Sequence, residues 1–421
     1  MPWLTRHRNG TGVVNSPNAV IVGGSKSSRF DAAVVLSSPS SPATPRTYHP
    51  SLTPRPSALR PHCLARDRLR LWTPLTSRSR ADSSGSPVPL SDCDIDRIFV
   101  VLAHSHAVST RECYGSGLLV FHVFCDSRDI PEQQRCPASS ILLLAFVAGC
   151  AGLYSGRTLE NYFHGVRAWH LLHGLPWLVD QAQVSLALEG ARRLAPPKST
   201  RPKRSPFTVP LLVDIRSVLN LSTPLHAAVY ACLTTSFFTI ARTGEFTVPS
   251  LSSFDPLCHV KVMDMRCETD RNGFEVTTFS LPRTKTALGG EDVYWAVQSG
   301  PADPHAALKN HFAVNAPSPS AALFSWRHQG RMRVLTKSAF LKCLQDAGSR
   351  LGQDDLKGHG IRIGGTLEYL LRGVPFESVK TMGCWSSDAF VLYLRKHAVV
   401  LAPYLQDQPV LEPFMRYALP A

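Results

Sequence analysis

Residues 359–395 read HGIRIGGTLEYLLRGVPFESVKTMGCWSSDAFVLYLR. Apolar residues at three- and four-residue steps predict a helix from Ile361 to Arg372, closed by Gly373. A short helix follows Pro375 and is closed by Gly383, and another runs from about Asp388 to His397. His359 and Arg362 stand three apart where the first helix starts, so both side chains point to one side. Gly358, Gly360, Gly364 and Gly365 keep the backbone thin enough for a phosphate or another helix to approach. Tyr393 is flanked by Phe390 and Leu394 at helical spacing, which describes a core tyrosine as well as a reactive one. His-x-x-Arg also occurs as His164/Arg167 and His328/Arg331, so the spacing by itself is not diagnostic.

Upstream, the chain from Phe207 has a mixed character. Thr223-Pro224 starts a helix with proline at its first position, and Leu225 to Ile240 is apolar enough to be buried on most sides. Arg242 follows at once, in Ala-Arg-Thr-Gly-Glu, where an unpaired guanidinium would be costly, and it therefore needs an anion. Glu245 either orients it or simply forms a helix-end ion pair with it. Phe274 to Thr286 and Asp292 to Gln298 read as two strands joined by a turn around Gly289-Gly290, with Val293, Trp295 and Val297 on one face. Lys285 ends the first strand near the hairpin tip, where a lysine either reaches into a groove or merely solubilises an edge. Arg283 lies two residues earlier, on the same strand face, and is able to neutralise a neighbouring phosphate. A further helix is predicted around Thr336 to Leu351.

The first half reads differently. Residues 1–91 are rich in Ser, Pro and Arg and very poor in acids, a composition that predicts a disordered segment without a core. The alternative, a mitochondrial transit peptide, is disfavoured by stretches such as Pro54-Arg55-Pro56 that break an amphipathic helix. Residues 92–195 read as a small helical domain. Ser139-Ser140 caps an apolar run, and Ser155-Gly156-Arg157-Thr158 opens a helix bearing Leu159, Tyr162, Phe163, Val166 and Trp169. Arg157, Arg167, Arg192 and Arg193 either face a nucleic-acid backbone or are ordinary solvated residues. Residues 196–206, PPKSTRPKRSP, form a basic proline-rich linker whose Lys198, Arg201, Lys203 and Arg204 suit a DNA groove or a nuclear-import signal. Residues 207–421 make the second domain with its C-terminal tail.

Lys and Arg number 45 against 31 Asp and Glu, a formal charge of +14 that favours a polyanionic partner. The longest apolar run, Ile141 to Leu153, spans about 13 residues and falls short of the ~20 a membrane-crossing helix needs, so a buried core helix is expected. The 11 cysteines show no spacing that suggests zinc, and they fit a reducing intracellular compartment.

Arg242, Lys285, His359, Arg362, Trp385 and Tyr393 form an ordered set with one chemistry in common. Two arginines hold a phosphodiester, a lysine and a histidine move protons, and a tyrosine attacks and forms a covalent ester. As an ordered set these motifs, over about Val101 to Tyr404, resemble the tyrosine recombinase/integrase family of DNA breaking-rejoining enzymes. LPRTKT, HGIRIGGT and WSSDAF resemble in particular the recombinases of Crypton- or DIRS-type mobile elements, especially fungal ones. The resemblance implies a mainly α fold with a small β component: a helical core-binding domain followed by an α+β catalytic domain. It also implies that Tyr393 forms a 3′-phosphotyrosyl link while Arg242 and Arg362 hold the nonbridging oxygens. Lys285 would protonate the departing 5′ oxygen with help from His359, with neither metal nor nucleotide cofactor. Double-stranded DNA as partner, a tetramer on two DNA sites, no membrane and a nuclear location follow from the same likeness.

One position departs from it. The family usually places His or Trp directly after the turn glycine; here Cys384 stands there and Trp385 comes one later, able to pack over the phosphate and donate its indole N–H. A catalytically inactive DNA-binding descendant and a type IB topoisomerase-like nicking-closing enzyme are the alternatives.

Overall fold

A computed structural model describes residues 44–76, 78–82, 84–199, 204–284, 287–385 and 399–400. Arg201, Lys203, Lys285 and Tyr393, with the helix expected around 388–397, lie outside the described residues. The described chain is mainly helical with a small β component, as expected.

The first hydrophobic core is built on α1 (Ala65–Leu71), α2 (Asp92–Ala103), α3 (Val108–Asp126), α4 (Glu132–Arg135), α5 (Ser140–Cys150), α6 (Gly156–Leu172) and α7 (Gln181–Arg193). Side chains of Ser91, Ser139, Ser155 and Asp180 accept from backbone N–H groups at the starts of α2, α5, α6 and α7, which is why those helices begin where they do. α5 corrects one expectation. It buries Leu142, Leu143, Phe146, Val147 and Cys150 but leaves Ile141 73% and, just beyond it, Leu153 69% exposed, so the apolar run is buried on one face only.

The core also starts earlier than residue 92. Cys63, Leu69 and Trp72 belong to it, so the segment from 44 to 91 is not the coreless stretch its composition predicts. Trp72 is fully buried, donates from Nε1 to the Pro61 carbonyl at 3.0 Å, and accepts at its own carbonyl from Trp169 Nε1 at 2.6 Å. Arg60 pairs with Glu132 at 2.5 Å, and Asp126 receives Arg135 at 2.8 Å and the Arg55 backbone N–H at 2.8 Å. A few large anchors, together with arginines that find buried carboxylates, outweigh an average that looks polar. Trp72→Ala should therefore lower stability by about 3–5 kcal/mol in urea denaturation; a change below about 0.5 kcal/mol, the ordinary surface range, would mean that this segment is not part of the core.

The second core gathers α8 (Val209–Val218), α9 (Pro224–Phe238), α10 (Thr243–Phe246), α11 (Pro304–Asn315), α12 (Lys337–Arg350), α13 (Gly358–Leu371) and α14 (Phe376–Met382). α9 is its axis, buried continuously from Ala227 to Phe238. A three-stranded antiparallel sheet in the order β1 (Met265–Thr269), β2 (Glu275–Leu281), β3 (Glu291–Trp295) packs on it, and a small hairpin joins β4 (Trp326–His328) to β5 (Arg331–Arg333). Phe279 opposes Val293 and Thr277 opposes Trp295, which puts Phe279, Leu281, Val293 and Trp295 on the buried face. Val297 lies past the strand end and is exposed, contrary to its expected place on that face.

Candidate functional site: two arginines at two left-handed turns

α13 starts at Gly358, earlier than its apolar pattern indicates, and its glycines are explained by packing. A Cβ on Gly364 would meet the Phe207 carbonyl at 2.2 Å and one on Gly365 the Phe237 carbonyl at 2.1 Å. Of the two partners the sequence allowed these glycines, backbone is the one the structure shows. The Phe207 N–H also donates to the Gly360 carbonyl at 3.0 Å, tying the end of the basic linker to α13.

This close packing brings Arg362 to the end of α9. Arg362 is 2% exposed, donates from Nη1 to the Ile240 carbonyl at 2.8 Å and from Nη2 to the Gly383 carbonyl, and carries the Trp385 ring over its guanidinium at 4.0 Å. Both carbonyls belong to turns of one kind. α9 ends with Ile240 N–H on the Phe237 carbonyl and Ala241 N–H on that of Ser236, Ile240 taking φ 53°. α14 ends with Cys384 N–H on the Thr381 carbonyl and Trp385 N–H on that of Lys380, Cys384 taking φ 52°. These are Schellman caps with isoleucine and cysteine where glycine is usual. A β-branched residue at positive φ is costly. Each cap places a carbonyl beside the same arginine.

α14 ends at Met382 with Gly383 as its C-cap, so the helix stops where Gly383 predicts, while the left-handed position is taken by Cys384. Gly383 has φ −85°, so its value is space: a Cβ there would lie 1.7 Å from the Trp385 ring. Gly383→Ala should displace Trp385 from Arg362 and lower stability by about 1–3 kcal/mol in urea denaturation, the scale of an overpacked site. Stability equal to wild type would show that Trp385 does not need this seat.

Arg242 follows Ile240 by two residues and caps α10. Glu245 accepts from its backbone N–H at 2.6 Å and from Nη1 at 2.7 Å, so the ion pair considered from sequence is present. The Arg242 side chain keeps 25% of its surface exposed while Glu245 keeps 8%, which leaves a held guanidinium with an open side. Gly358 touches the same helix, since a Cβ there would lie 2.8 Å from Thr243 Oγ1. His359, next in sequence, is half-buried. Arg362 and Trp385 are in contact, and Arg242 and His359 lie on the elements that adjoin them, at the start of α10 and the first turn of α13.

Cys384 stands between the two arginine turns and β3. Burial, then Glu291, then Glu245 push its thiol up to about 12, against the opposing charge of Arg362. The thiol is thereby held toward its neutral form, at the position where the sequence likeness expects His or Trp. Trp385 is at the site, though its ring rests on the arginine. The hairpin that brackets residues 285–286 is closed by Thr284 and Ala287, Thr284 N–H donating to the Ala287 carbonyl at 2.9 Å. Arg283 is exposed.

Of the other basic candidates, Arg157 pairs with Glu160 at 2.9 Å, and Arg192 and Arg193 share Glu189 at 2.7 and 2.9 Å. Arg167 and Lys198 are exposed and Arg204 is half-buried. Tyr369, on α13, is buried and donates its hydroxyl to the Phe238 carbonyl at 2.9 Å. No group of His, Cys, Asp and Glu side chains among the described residues is placed to hold a metal, and no described helix is long and apolar enough to cross a membrane.

No protein-family profile and no curated protein matches the chain. Solved structures do. The XerH site-specific recombinase bound to palindromic difH substrate in a post-cleavage complex is similar over 76% of this chain and 85% of that one, with 14% identity and a TM-score of 0.49. XerA recombinase is similar over 78% and 99%, with 13% identity and a TM-score of 0.32. A FLP recombinase–Holliday junction complex is similar over 44% of each chain, with 14% identity and a TM-score of 0.30, so this chain spans less than half of that one. Likeness at this level assigns no residue and no activity, and the functional reading rests on the side chains.

Proposed function

We propose that the chain is a tyrosine recombinase that cleaves and rejoins double-stranded DNA through a 3′-phosphotyrosyl intermediate. The observation that carries this reading is the buried guanidinium of Arg362, fixed by two carbonyls and the Trp385 face, with the half-open guanidinium of Arg242 two residues beyond the Ile240 carbonyl that it holds. Desolvated, preoriented donors of this kind stabilise the charge that develops on a phosphorane far better than solvated ones. In the proposed step the Tyr393 oxygen bonds to phosphorus and the bond to the 5′ oxygen breaks. The leaving oxygen takes a proton from Lys285, and the phenolic proton passes to His359 or water. Attack by a 5′ hydroxyl reverses the step, with the ester bond conserved throughout.

A mobile-element origin, a multimer on two DNA sites and a nuclear location belong to the same proposal, supported by the motif likeness and by the +14 charge. Cys384 favours the alternative of a DNA-binding protein without activity, since a neutral thiol replaces an expected donor. A pool of nicked duplexes of randomised sequence, incubated with the protein and resolved under denaturing conditions, separates the two. The proposal expects an SDS-resistant adduct; duplex binding with no adduct on any sequence favours the inactive protein.

A further inference from the structure

Arg60, Arg68 and Arg135 are buried in the first core, at 7%, 8% and 4% exposure. Two of them meet carboxylates: Arg60 pairs with Glu132 at 2.5 Å and Arg135 with Asp126 at 2.8 Å. Arg68, on α1, has no ion pair among the described residues. Its Nη1 donates to the Gly115 carbonyl at 3.1 Å, and its guanidinium carbon lies 5.4 Å from the Tyr48 ring and 5.5 Å from that of Trp72. Its Nε is shielded from solvent and makes no hydrogen bond. A buried guanidinium without a counter-ion is costly.

The groups that act on it electrostatically, Tyr48 and Cys63, do not supply the missing charge. Burial raises the Tyr48 phenol and the Cys63 thiol above their ordinary values, against the pull of Arg68, which holds both toward the neutral form. The Tyr48 hydroxyl is a second shielded group with no hydrogen-bond partner. All three residues line one cavity of about 860 Å³, bounded by residues 44–52, α1, α3 and α6, a size usual for small-molecule sites. Leu52, Leu64, Leu119 and Val120 give it apolar walls. Of the charged side chains that line it, Arg68 alone is buried; Arg46 and Glu112 are exposed and Arg66 is half-buried.

We propose that this cavity binds a small organic acid, whose carboxylate accepts from the guanidinium of Arg68 and from the Tyr48 hydroxyl while its apolar body lies against Leu119 and Val120. The Tyr48 side chain turns to admit it, in a segment where Thr47, His49 and Pro50 are exposed. A carboxylate matches a single guanidinium both in charge and in its planar pair of oxygens. Inorganic phosphate has no apolar body to set against the leucine and valine walls. A guanidinium only 8% exposed is not presented to the phosphates of a duplex.

The test uses the full chain, with benzoate and hexanoate as probes and uncharged benzamide and inorganic phosphate as controls, read by melting temperature and calorimetric titration. At least one of the two acids should raise the melting temperature with concentration, while benzamide and phosphate leave it unmoved. Tyr48→Phe removes one donor to the charged group and should weaken the effective acid roughly tenfold or more. Arg68→Met exchanges the unpaired charge for an apolar chain of similar length, a change that buried sites tolerate, and should abolish the shift. Where Arg68→Met fails to melt cooperatively, Tyr48→Phe carries the test. No shift with either acid, an equal shift with benzamide, or an acid affinity unchanged in Tyr48→Phe overturns the proposal. So does a shift retained in Arg68→Met, which would leave Arg68 a structural strut. A shift with phosphate that Tyr48→Phe removes gives the cavity to an inorganic oxyanion, and a duplex affinity that falls in Tyr48→Phe gives it to nucleic acid; either overturns the organic acid.

Discussion

Tyr393→Phe is expected to abolish the SDS-resistant protein–DNA adduct, a loss on the order of 10⁴-fold or more, as when a covalent nucleophile is removed, while duplex affinity stays within about twofold, since a phenol is not a phosphate counter-ion. Tyr369, Tyr404 and Tyr417 are the rival nucleophiles by sequence, and of these Tyr404 and Tyr417 lie outside the described residues. A phenol titrates near 10 and attacks only where cations favour its anion. Tyr369 is placed the other way: burial pushes it up to about 12, and its hydroxyl is spent on the Phe238 carbonyl. Tyr230 and Tyr162 are likewise pushed up to about 12 by burial, and the hydroxyl of Tyr230 donates to the Pro301 carbonyl. Tyr393 follows Trp385 by eight residues, and Trp385 is packed on Arg362. Tyr369→Phe should keep the adduct and lose about 1–3 kcal/mol of stability from the orphaned carbonyl. An adduct that survives Tyr393→Phe and disappears in Tyr369→Phe would move the nucleophile.

Where the site was legible, local chemistry matched the fold. α9 has proline at its first position and a long apolar run, the β2–β3 hairpin has alternation around a glycine turn, and α13 has its stripe, so each was found, although β2 stops at Leu281, five residues before the expected end, and leaves Arg283 beyond the strand. Arg242 and Arg362 were found because order and flanks marked them. The two turns that hold Arg362 were not, because Ile240 and Cys384 occupy left-handed positions that sequence rules reserve for glycine. Gly383 closes α14 as expected, and it also leaves room for an indole ring, which sequence did not indicate. The start of the first core was missed because composition averages over a segment in which Leu69 and Trp72 do most of the packing. In the first core, pairing was not visible: the fold ties Arg157 to Glu160 and leaves Arg167 beside a hollow.

Arg362→Ala is expected to slow single-turnover cleavage by about 10²- to 10³-fold, the scale for removing one preorganised donor from a developing oxyanion. It should also lower stability by about 1–3 kcal/mol, because the Ile240 and Gly383 carbonyls lose their donor and Trp385 loses its platform. Arg362→Lys sharpens the test. Lysine restores the charge, but an ammonium cannot donate as a planar fork to two separated carbonyls while offering a flat face to an indole. If geometry matters, Arg362→Lys recovers duplex binding and little of the cleavage rate; if bulk charge is enough, it recovers both. A cooperative urea transition, measured beside the rate, shows that each variant is folded. Cleavage within about threefold of wild type in Arg362→Ala, with the fold intact, would leave the arginine as a structural strut between two strained turns and remove the main support for the enzyme.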